Sequence, residues 1–418
     1  MLVGAVFGRG SDEDAQWSLD ELEALADTAG ADALDKVIQH RDSPDPATYL
    51  GKGKMKEIID IALTFDADMV VFDDELTPAQ GRNLEDLAGV NPLAERGLKI
   101  VDRTGLILDI FAQHARSSEG KLQVELAALT YRLPRLRGWG EVLSRLGGVG
   151  TSRGPGETQL EVDRRAILRR MQRVKKDLED IERTRQLKRK QRKRNAVPIV
   201  ALVGYTNAGK STMLKRLTAE KDVLVQNQLF STLDPTTRRM HLPAGNTVLL
   251  TDTVGFVRKL PHQLVEAFRS TLEEVGEATM LLHVVDSSGD VDRQMDAVET
   301  VLKEMGVVGR PSVVALNKAD LIDEDRLAEL KRSHPEAVIC SAATGAGIEG
   351  LLEQIDRELA KLKVEVEMEI PFDRGEVVAR IHDEGDVLHE GYTETGTRLV
   401  ARIPREMLKE VEEFVTAG

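Results

Sequence analysis

The chain is poor in cysteine. Cys340 is the single cysteine among 418 residues, so no internal disulfide can form. Zinc and iron–sulfur sites that need several cysteine ligands are excluded for the same reason. Low cysteine usage is typical of proteins in a reducing compartment, and we therefore expect a cytoplasmic protein.

Long hydrophobic runs are missing as well. No stretch approaches the roughly 18 apolar residues of a membrane-spanning helix, so we expect no integral membrane segment. The opening residues, MLVGAVFGRGSDED, lack a basic leader and soon turn acidic, unlike a secretory signal. With 41% hydrophobic and 31% charged residues, the composition indicates a globular protein of roughly two to four domains.

Positive charge is scarce overall but concentrated in one segment. The formal net charge is −14. Residues 132–194 hold 20 Lys and Arg against 8 Asp and Glu, a local charge of +12 that leaves −26 for the remainder. An acidic protein disfavours a polyanionic partner, so this basic segment needs a local explanation.

Hydrophobic patterning divides the chain into four predicted parts. Residues 1–116 alternate strand and helix patterns, with strands expected at 2–7, 33–39, 68–72 and 98–101, and predict an N-terminal α/β subdomain. Residues 197–362 alternate again, with strands in IVALVG, TVLLTD, TMLLHVVD, SVVALNK and AVICSA; such apolar runs favour a mostly parallel sheet. Residues 363–418 predict a small C-terminal α/β domain with strands at 364–370 and 398–403 and a closing helix at 405–415.

Residues 117–196 predict a long antiparallel helical hairpin. Two narrow apolar stripes run at spacings of three and four, as in a coiled-coil seam. The first contains Leu122, Leu126, Leu129, Leu133 and Leu136, and the second contains Leu160, Ile167, Met171, Val174, Leu178 and Ile181. The tip between them, residues 137–159, has seven glycines and is too glycine-rich to hold one conformation unaided.

The sequence GYTNAGKST at 204–212 matches the phosphate-binding pattern G-x-x-x-x-G-K-[ST]. It follows a strand and opens a helix, so backbone N–H groups and the helix dipole can cradle phosphates. We expect Lys210 to reach the β- and γ-phosphates and Ser211 to ligate Mg²⁺. The residues assigned to nucleotide binding here are Gly204, Tyr205, Thr206, Asn207, Ala208, Gly209, Lys210, Ser211 and Thr212.

A second motif, Asp252-Thr253-Val254-Gly255, ends the strand TVLLT about 40 residues later. Asp252 is placed to hold the Mg²⁺ shell, and the N–H of Gly255 is free to contact a γ-phosphate. We assign all four residues to nucleotide binding, and Gly255 together with Lys210 to catalysis.

Asn317-Lys318-Ala-Asp320 follows the strand SVVAL and predicts the base-reading element. A carboxylate accepts two hydrogen bonds, and guanine offers N1–H and N2–H₂ on one edge. Adenine lacks this pair and would leave Asp320 unpaired. Ser341 and Ala342, which end the next strand, are expected to offer backbone N–H groups to the base.

A candidate first switch lies between these motifs, at Phe230, Ser231, Thr232, Leu233 and Asp234. A threonine here should ligate Mg²⁺ and contact the γ-phosphate. Thr232, Thr236 and Thr237 all qualify chemically, and spacing does not separate them.

Phe256 follows Gly255 where many GTPases have a water-orienting glutamine. Intrinsic hydrolysis should therefore be slow, on the order of 10⁻⁴–10⁻² s⁻¹. Asn207 either helps to hold a potassium ion or makes a plain loop hydrogen bond.

Five segments together resemble the HflX-type GTPases: GYTNAGKST, FSTLDPTTRR, DTVGF, GPGETQLEVDRR (154–165) and YLGKGKMKEI (49–58). The likeness extends over essentially the whole chain. It implies a GTPase with the domain order given above, binding to the large ribosomal subunit and its rRNA, dissociation or rescue of stalled ribosomes, and GTP hydrolysis stimulated by ribosomes. It also implies that Thr232 is the catalytic, Mg²⁺-ligating switch threonine. The hydrophobic residue at Phe256 agrees with this family.

The basic segment fits this resemblance. A hairpin tip rich in glycine and arginine suits insertion into RNA, with phosphates supplying affinity and an aromatic ring supplying stacking. We assign Arg137, Trp139, Arg145 and Arg153 to RNA binding. The alternative for this segment is a solvated charged coiled coil. For the whole protein, which we expect to be a monomer, the alternatives are an NTP-driven RNA remodeler and a GTP-regulated binding module with weak hydrolysis.

Overall fold

The computed structural model describes residues 1–8, 10–89, 98–136, 155–193, 197–218, 229–230, 236–243, 245–259, 261, 264, 275–405 and 407–416. Within these ranges, side chains at 155–160, 185–193 and 383–384 are not described. Contacts divide the chain into two units. The first comprises Met1–Arg183, Gln226–Asp234 and Val254–Thr271, and the second comprises Thr184–Val225, Pro235–Thr253 and Leu272–Gly418.

A four-stranded parallel sheet forms the centre of the first unit. Its strands are β1 (Leu2–Phe7), β2 (Lys36–Arg41), β3 (Met69–Phe72) and β4 (Lys99–Asp102), in the order β2-β1-β3-β4. The helices α1 (Asp12–Thr28), α2 (Lys52–Thr64), α3 (Pro78–Leu87) and α4 (Arg103–His114) alternate with them. The predicted α/β alternation is confirmed, although β2 begins three residues later than expected.

Side-chain caps fix where three of these helices begin. The Ser11 hydroxyl accepts from the N–H of Asp14, and the carboxylate of Asp102 accepts from the N–H of Gly105. Thr77 and Gln80 form a reciprocal capping box at the start of α3. Each cap satisfies N–H groups that the first helical turn would otherwise leave unpaired.

The hairpin helices are α5 (Ser118–Arg132) and α6 (Pro155–Lys193). On α6, Val174 is buried, and Ile167, Met171, Leu178 and Ile181 are half-buried, which confirms the predicted stripe from residue 167 to residue 181; the side chain of Leu160 lies outside the described residues. The guanidinium of Arg170 on α6 makes a bidentate pair with Glu125 on α5, at 2.5 and 2.6 Å.

The buried face of α5 differs from the prediction. Leu122, Leu126 and Leu129 are only half-buried, whereas Val124 and Ala127 are buried. The reason is that α5 also packs against α4. The predicted stripe assumed that α5 packs against the other hairpin helix alone, so it could not include the residues that face α4.

One arginine in the first unit is almost completely enclosed. Arg103, at the start of α4, has a side chain that is 1% exposed. Its Nη1 lies 2.8 Å from the carboxylate of Glu21, and its Nη2 lies 2.6 Å from Asp73. Asp73 also pairs with Lys259 at 2.5 Å. Burial alone would raise the pKa of Asp73, but Arg103 and Lys259 hold it below its usual value.

The second unit is built on a six-stranded sheet. Its strands are β5 (Ile199–Val203), β6 (Thr236–His241), β7 (Thr247–Asp252), β8 (Met280–Asp286), β9 (Ser312–Asn317) and β10 (Val338–Ile339), in the order β10-β9-β8-β5-β7-β6. All neighbours are parallel except β6, which runs antiparallel to β7. Its helices include α7 (Lys210–Thr218), α8 (Val291–Glu304), α9 (Glu324–Ser333) and α10 (Ile348–Ala360).

This sheet confirms the predicted mostly parallel P-loop GTPase fold. Its central strands are apolar on both faces because helices cover both. Strand β6, with the sequence TTRRMH, was missed since an edge strand needs no continuous apolar run.

The last part of the chain forms a three-stranded antiparallel sheet. Strands β11 (Lys363–Pro371), β12 (Asp386–Tyr392) and β13 (Gly396–Pro404) lie in the order β11-β13-β12, and helices α11 (Gly375–Glu384) and α12 (Leu408–Val411) complete the fold. β11 and β13 were predicted, while β12 and α11 were missed. The predicted closing helix at 405–415 is shorter, because α12 gives way to a 3₁₀ turn at Glu412–Phe414.

Among the helices of the described residues, none combines the length and the apolar character needed to cross a bilayer.

Replacing Arg103 with methionine should destabilise the protein by about 3 kcal/mol, because it leaves buried carboxylates without their partner. Denaturant unfolding followed by circular dichroism measures this loss. Arg169→Met, on the exposed face of α6, is the matched control and should change stability by less than about 0.5 kcal/mol. Equal effects of both substitutions would show that the buried cluster adds no stability.

Candidate functional site

The motif residues of the second unit gather at one edge of its sheet. Parallel strands β5, β7, β8 and β9 end at Val203, Asp252, Asp286 and Asn317, and each is followed by a loop on the same side. Ligands of open α/β sheets bind at this carboxyl edge. The candidate nucleotide-binding residues of the second unit, at 204–212, 252–253, 317–320 and 341–342, lie in or beside these loops, and their strands end at this one edge.

Two glycines make the phosphate-binding loop possible. Gly204 has φ +155°, and a Cβ there would lie 2.2 Å from the carbonyl oxygen of Val284. Gly209 has φ +95°, and a Cβ there would lie 2.3 Å from the side-chain nitrogen of Asn317. Both positions therefore require glycine for conformation and for space.

Lys210 is buried inside this loop. Its side chain curls back, and Nζ donates to the carbonyl oxygens of Gly204 at 3.0 Å and Tyr205 at 2.7 Å. Burial lowers the pKa of Lys210 to about 8, although Asp252 opposes this shift. No carboxylate among the described residues forms an ion pair with it, so the ammonium is available to an anion.

Ser211 and Asp252 meet at the end of the loop. The Ser211 hydroxyl donates to Oδ2 of Asp252 at 2.9 Å, and Asp252 is 1% exposed. The other carboxylate oxygen accepts from the N–H of Thr253 at 3.0 Å. A hydroxyl and a carboxylate in contact are the hard oxygen donors that Mg²⁺ prefers.

Asn317 links the phosphate-binding loop to the base-reading side. Its Nδ2 donates to the carbonyl oxygen of Ala208 at 2.8 Å, and its Oδ1 accepts from the N–H of Ala342 at 2.9 Å. The residue is 2% exposed. One amide side chain thus joins two loops that the sequence assigned to opposite ends of a nucleotide.

Asp320 and Lys318 are oriented by neighbouring polar groups. The Ser341 hydroxyl donates to Oδ1 of Asp320 at 2.5 Å. Lys318 has a left-handed backbone, with φ +63°, and its ammonium lies 2.7 Å from Asp286. The ion pair between Lys318 and Asp286 was not predicted. An aspartate that ends a buried strand next to the strand carrying this motif is a sequence signal that could have indicated it.

The two predicted backbone donors already have acceptors within the protein. The N–H of Ser341 donates to the carbonyl oxygen of Ala346 at 2.8 Å, and the N–H of Ala342 donates to Asn317. Their assignment to the base stays a prediction.

The candidate first switch, residues 230–234, falls in the first unit, as do Val254, Gly255 and Phe256. Phe230 is 2% exposed and packs on Phe111, with ring centroids 4.5 Å apart. Gly255 precedes Phe256, which is 1% exposed and apolar. The described part of this region therefore offers no polar side chain at position 256 to orient water.

Several assigned residues lie outside the described residues. They are Ser231, Thr232, Leu233 and Asp234 of the first switch, and Arg137, Trp139, Arg145 and Arg153 of the hairpin tip. Of the other candidate threonines, Thr237 shares a hydrogen bond with Thr251, and Thr236 lies opposite Asp252 in the β6–β7 ladder. These contacts do not separate Thr232, Thr236 and Thr237, and the assignment of Thr232 stays a prediction.

The sequence also missed His283, in the middle of β8. Burial, with a smaller contribution from Lys210, lowers the pKa of His283 to about 4. Its Nε2 has no hydrogen-bond partner among the described residues. The imidazole is therefore neutral at pH 7, and it adds no positive charge beside the lysine.

Three family models match the chain in sequence. They are described as "GTP-binding GTPase N-terminal" over residues 16–112, "GTP-binding GTPase Middle Region" over 114–192 and "50S ribosome-binding GTPase" over 199–318.

Curated relatives match almost the whole chain. The protein named GTPase HflX from Caldanaerobacter subterraneus is 47% identical over 97% of this chain and 91% of the relative. The GTPase HflX of Lacrimispora saccharolytica is 47% identical over 98% and 94%, and that of Escherichia coli is 42% identical over 94% and 91%. With this identity and coverage, and with the nucleotide-binding motifs assembled at one sheet edge, the chain belongs to the HflX family and is a GTPase.

Proposed function

We propose that this chain is a Mg²⁺-dependent GTPase that binds the large ribosomal subunit and its rRNA and dissociates or rescues stalled ribosomes. Ribosome binding stimulates its hydrolysis of GTP to GDP and phosphate. The proposal depends first on one observation: the side chain of Asn317 joins the phosphate-binding loop to the loop beside Asp320.

The phosphate end is assigned to Lys210 and the backbone N–H groups of residues 204–212. Lys210 is buried, and its acceptors are two carbonyl oxygens, which carry no net charge. A triphosphate supplies the missing negative charge, and the start of α7 adds favourable dipole charge.

The metal is assigned to Ser211 and Asp252, with Thr232 as the switch ligand. The 2.9 Å contact between the Ser211 hydroxyl and the Asp252 carboxylate supports this donor set. Mg²⁺ would neutralise charge on the phosphate oxygens. Asn207 is exposed, with φ +59°. Turnover compared in K⁺ and Na⁺ separates a potassium role for Asn207 from a plain loop contact.

The basic hairpin is assigned to RNA. On α6, Arg164, Arg169, Arg173, Lys175 and Lys176 are all exposed, while the apolar stripe turns inward. A stiff helix with one charged face presents these cations to phosphates and leads to the assigned tip. The family model that matches residues 199–318 is described as a "50S ribosome-binding GTPase", which supports the large subunit as the RNA partner.

A second candidate is a GTP-regulated binding module with very weak hydrolysis, favoured by the buried, apolar Phe256. It requires turnover to stay slow even with saturating large subunits. Stimulated turnover would exclude it.

Asp320→Asn should exchange guanine preference for xanthine preference. Asparagine presents one donor and one acceptor, and xanthine has a carbonyl where guanine has its 2-amino group. GTP affinity should fall on the order of 10²-fold or more, while xanthosine triphosphate gains, measured by calorimetry. Asp323→Asn is the control, because asparagine caps α9 as well as aspartate does. Unchanged GTP affinity in the Asp320 variant would remove the base-reading assignment.

Nucleotide affinity should fall as pH rises above about 8. The free protein loses the Lys210 proton there, whereas bound phosphates stabilise the ammonium and raise its pKa. Binding therefore takes up a proton, and affinity drops by up to about tenfold per pH unit. Calorimetry near pH 9 in two buffers of different ionisation enthalpy measures the uptake. Binding with no proton uptake would contradict the buried-lysine assignment.

Replacing Arg137, Arg145 and Arg153 together with glutamine should weaken co-sedimentation with 50S particles at low salt and leave GTP affinity unchanged. The slope of log affinity against log salt should become shallower by about 2, since each lost phosphate contact contributes about 0.7. Arg398, Arg402 and Arg405, exposed in the C-terminal sheet region, give a control triple with the same charge change. Loss of binding in both triples would indicate a charge effect without a specific site.

A further inference from the structure

An arginine of α7, the helix that follows the phosphate-binding loop, donates hydrogen bonds to the backbone of the loop that follows β10. We call residues 340–346 the base loop. Arg216 lies on α7, and its Nε donates to the backbone carbonyl of Ala342 at 2.9 Å. One of its terminal nitrogens, Nη2, donates to the carbonyl of Ala343. At Gly345, with φ +95°, an added Cβ would lie 3.5 Å from Nη1 of Arg216, so the guanidinium is also in van der Waals reach of this part of the loop.

The base loop has one further backbone donor. The N–H groups of Ser341 and Ala342 are already used, by Ala346 and Asn317. Ala343 is exposed, and its N–H has no hydrogen-bond acceptor within the described ranges. It is therefore the backbone donor of the base loop that is left for a ligand.

Peptide geometry connects Arg216 to this donor. The carbonyl of one residue and the N–H of the next belong to the same planar trans peptide and point in opposite directions. By holding the carbonyl of Ala342, Arg216 aims the N–H of Ala343 away from α7. By holding the carbonyl of Ala343, it aims the N–H of Thr344 at the Ser341 hydroxyl, which lies 3.1 Å away.

The same arrangement extends to the base-reading carboxylate. Ser341 accepts from Thr344 and donates to Asp320 at 2.5 Å. Arg216 therefore fixes two consecutive peptide planes of a loop whose serine orients Asp320.

We propose that Arg216 is a positioning residue for base recognition: it directs the N–H of Ala343 to the 6-oxygen of guanine. Adenine carries an amino group at this position, which cannot accept from an N–H. The inference rests on the proposed nucleotide site, and its new part is that Arg216 holds the peptide planes of the base loop. The helix α7 then acts at both ends of the nucleotide, because Lys210 at its start is assigned to the phosphates and Arg216 holds the base loop.

The test compares two diphosphates on the full-length protein. GDP has an oxygen at C6, and 2-aminopurine riboside diphosphate keeps the 2-amino group but has no such oxygen. Arg216→Gln should lower GDP affinity on the order of tenfold, the size of one well-formed hydrogen bond, and leave the analogue's affinity unchanged. Turnover at saturating GTP should not change. Lys215→Gln, an exposed neighbour on the same helix, is the control for charge and should alter neither affinity.

Three outcomes are distinct. Equal losses for GDP and the analogue would show that Arg216 only supports the fold, and no loss for GDP would show that it does not act on the loop; either overturns the proposal. A wild-type protein that binds both diphosphates equally would overturn the base site itself. If Arg216→Gln does not fold, Arg216→Lys replaces it: one ammonium reaches one carbonyl, and a smaller loss confined to GDP is expected, while no loss overturns the proposal.

Discussion

The arrangement of the site depends on one buried side chain, the amide of Asn317. Its nitrogen and oxygen bond to backbone groups of two different loops, at Ala208 and Ala342. A buried amide that satisfies both of its ends defines the separation of the groups it joins more strictly than apolar packing does, because a lost partner would leave a polar group unpaired. The glycine at 209 belongs to the same contact, since any side chain there would displace the amide. Asn317 thus fixes the loop assigned to the phosphates relative to the loop assigned to the base.

Sheet topology explains why so few residues suffice. Strands β5, β7, β8 and β9 are parallel neighbours, so their carboxyl ends deliver four loops to one edge. In the proposed site each loop has one assigned function: a phosphate cradle, an acidic metal ligand, the Asp286 partner of Lys318 and the base-reading pair. Hydrophobic burial below the edge holds the strands in register. The strands thus supply the framework, while Gly204, Gly209 and Asn317 fix how the loops above it are arranged.

Much of this was readable from the sequence because its signals are local. Strands that are buried on both faces are continuous apolar runs, and GYTNAGKST combines strand, turn and helix in nine residues. The strands and contacts that were not predicted depend instead on residues that are distant in the sequence. Strand β6 lies at a sheet edge and β12 carries a bulge near Leu388, so their residue patterns can be interpreted only beside a partner strand.

Arg216 and Asp286 gain their roles from residues far away in the chain, at Ala342 and Lys318. Nothing in their own neighbourhood indicates those contacts. Likewise, α5 turned its buried face to α4, which the seam pattern alone could not reveal.

Two buried cations show how a structural charge differs from a functional one. Arg103 is enclosed with two carboxylates, so its charge is balanced within the protein. Lys210 is equally enclosed, but its acceptors are carbonyl oxygens, and burial lowers its pKa to about 8. A cation held in that way costs desolvation energy in the folded protein, and Asp252 offsets that cost only in part. The rest of the offset comes when phosphate oxygens enter the loop. A buried lysine with a lowered pKa, set at the start of a helix, is therefore evidence for an anionic ligand in its own right, and here it agrees with the motif that surrounds it.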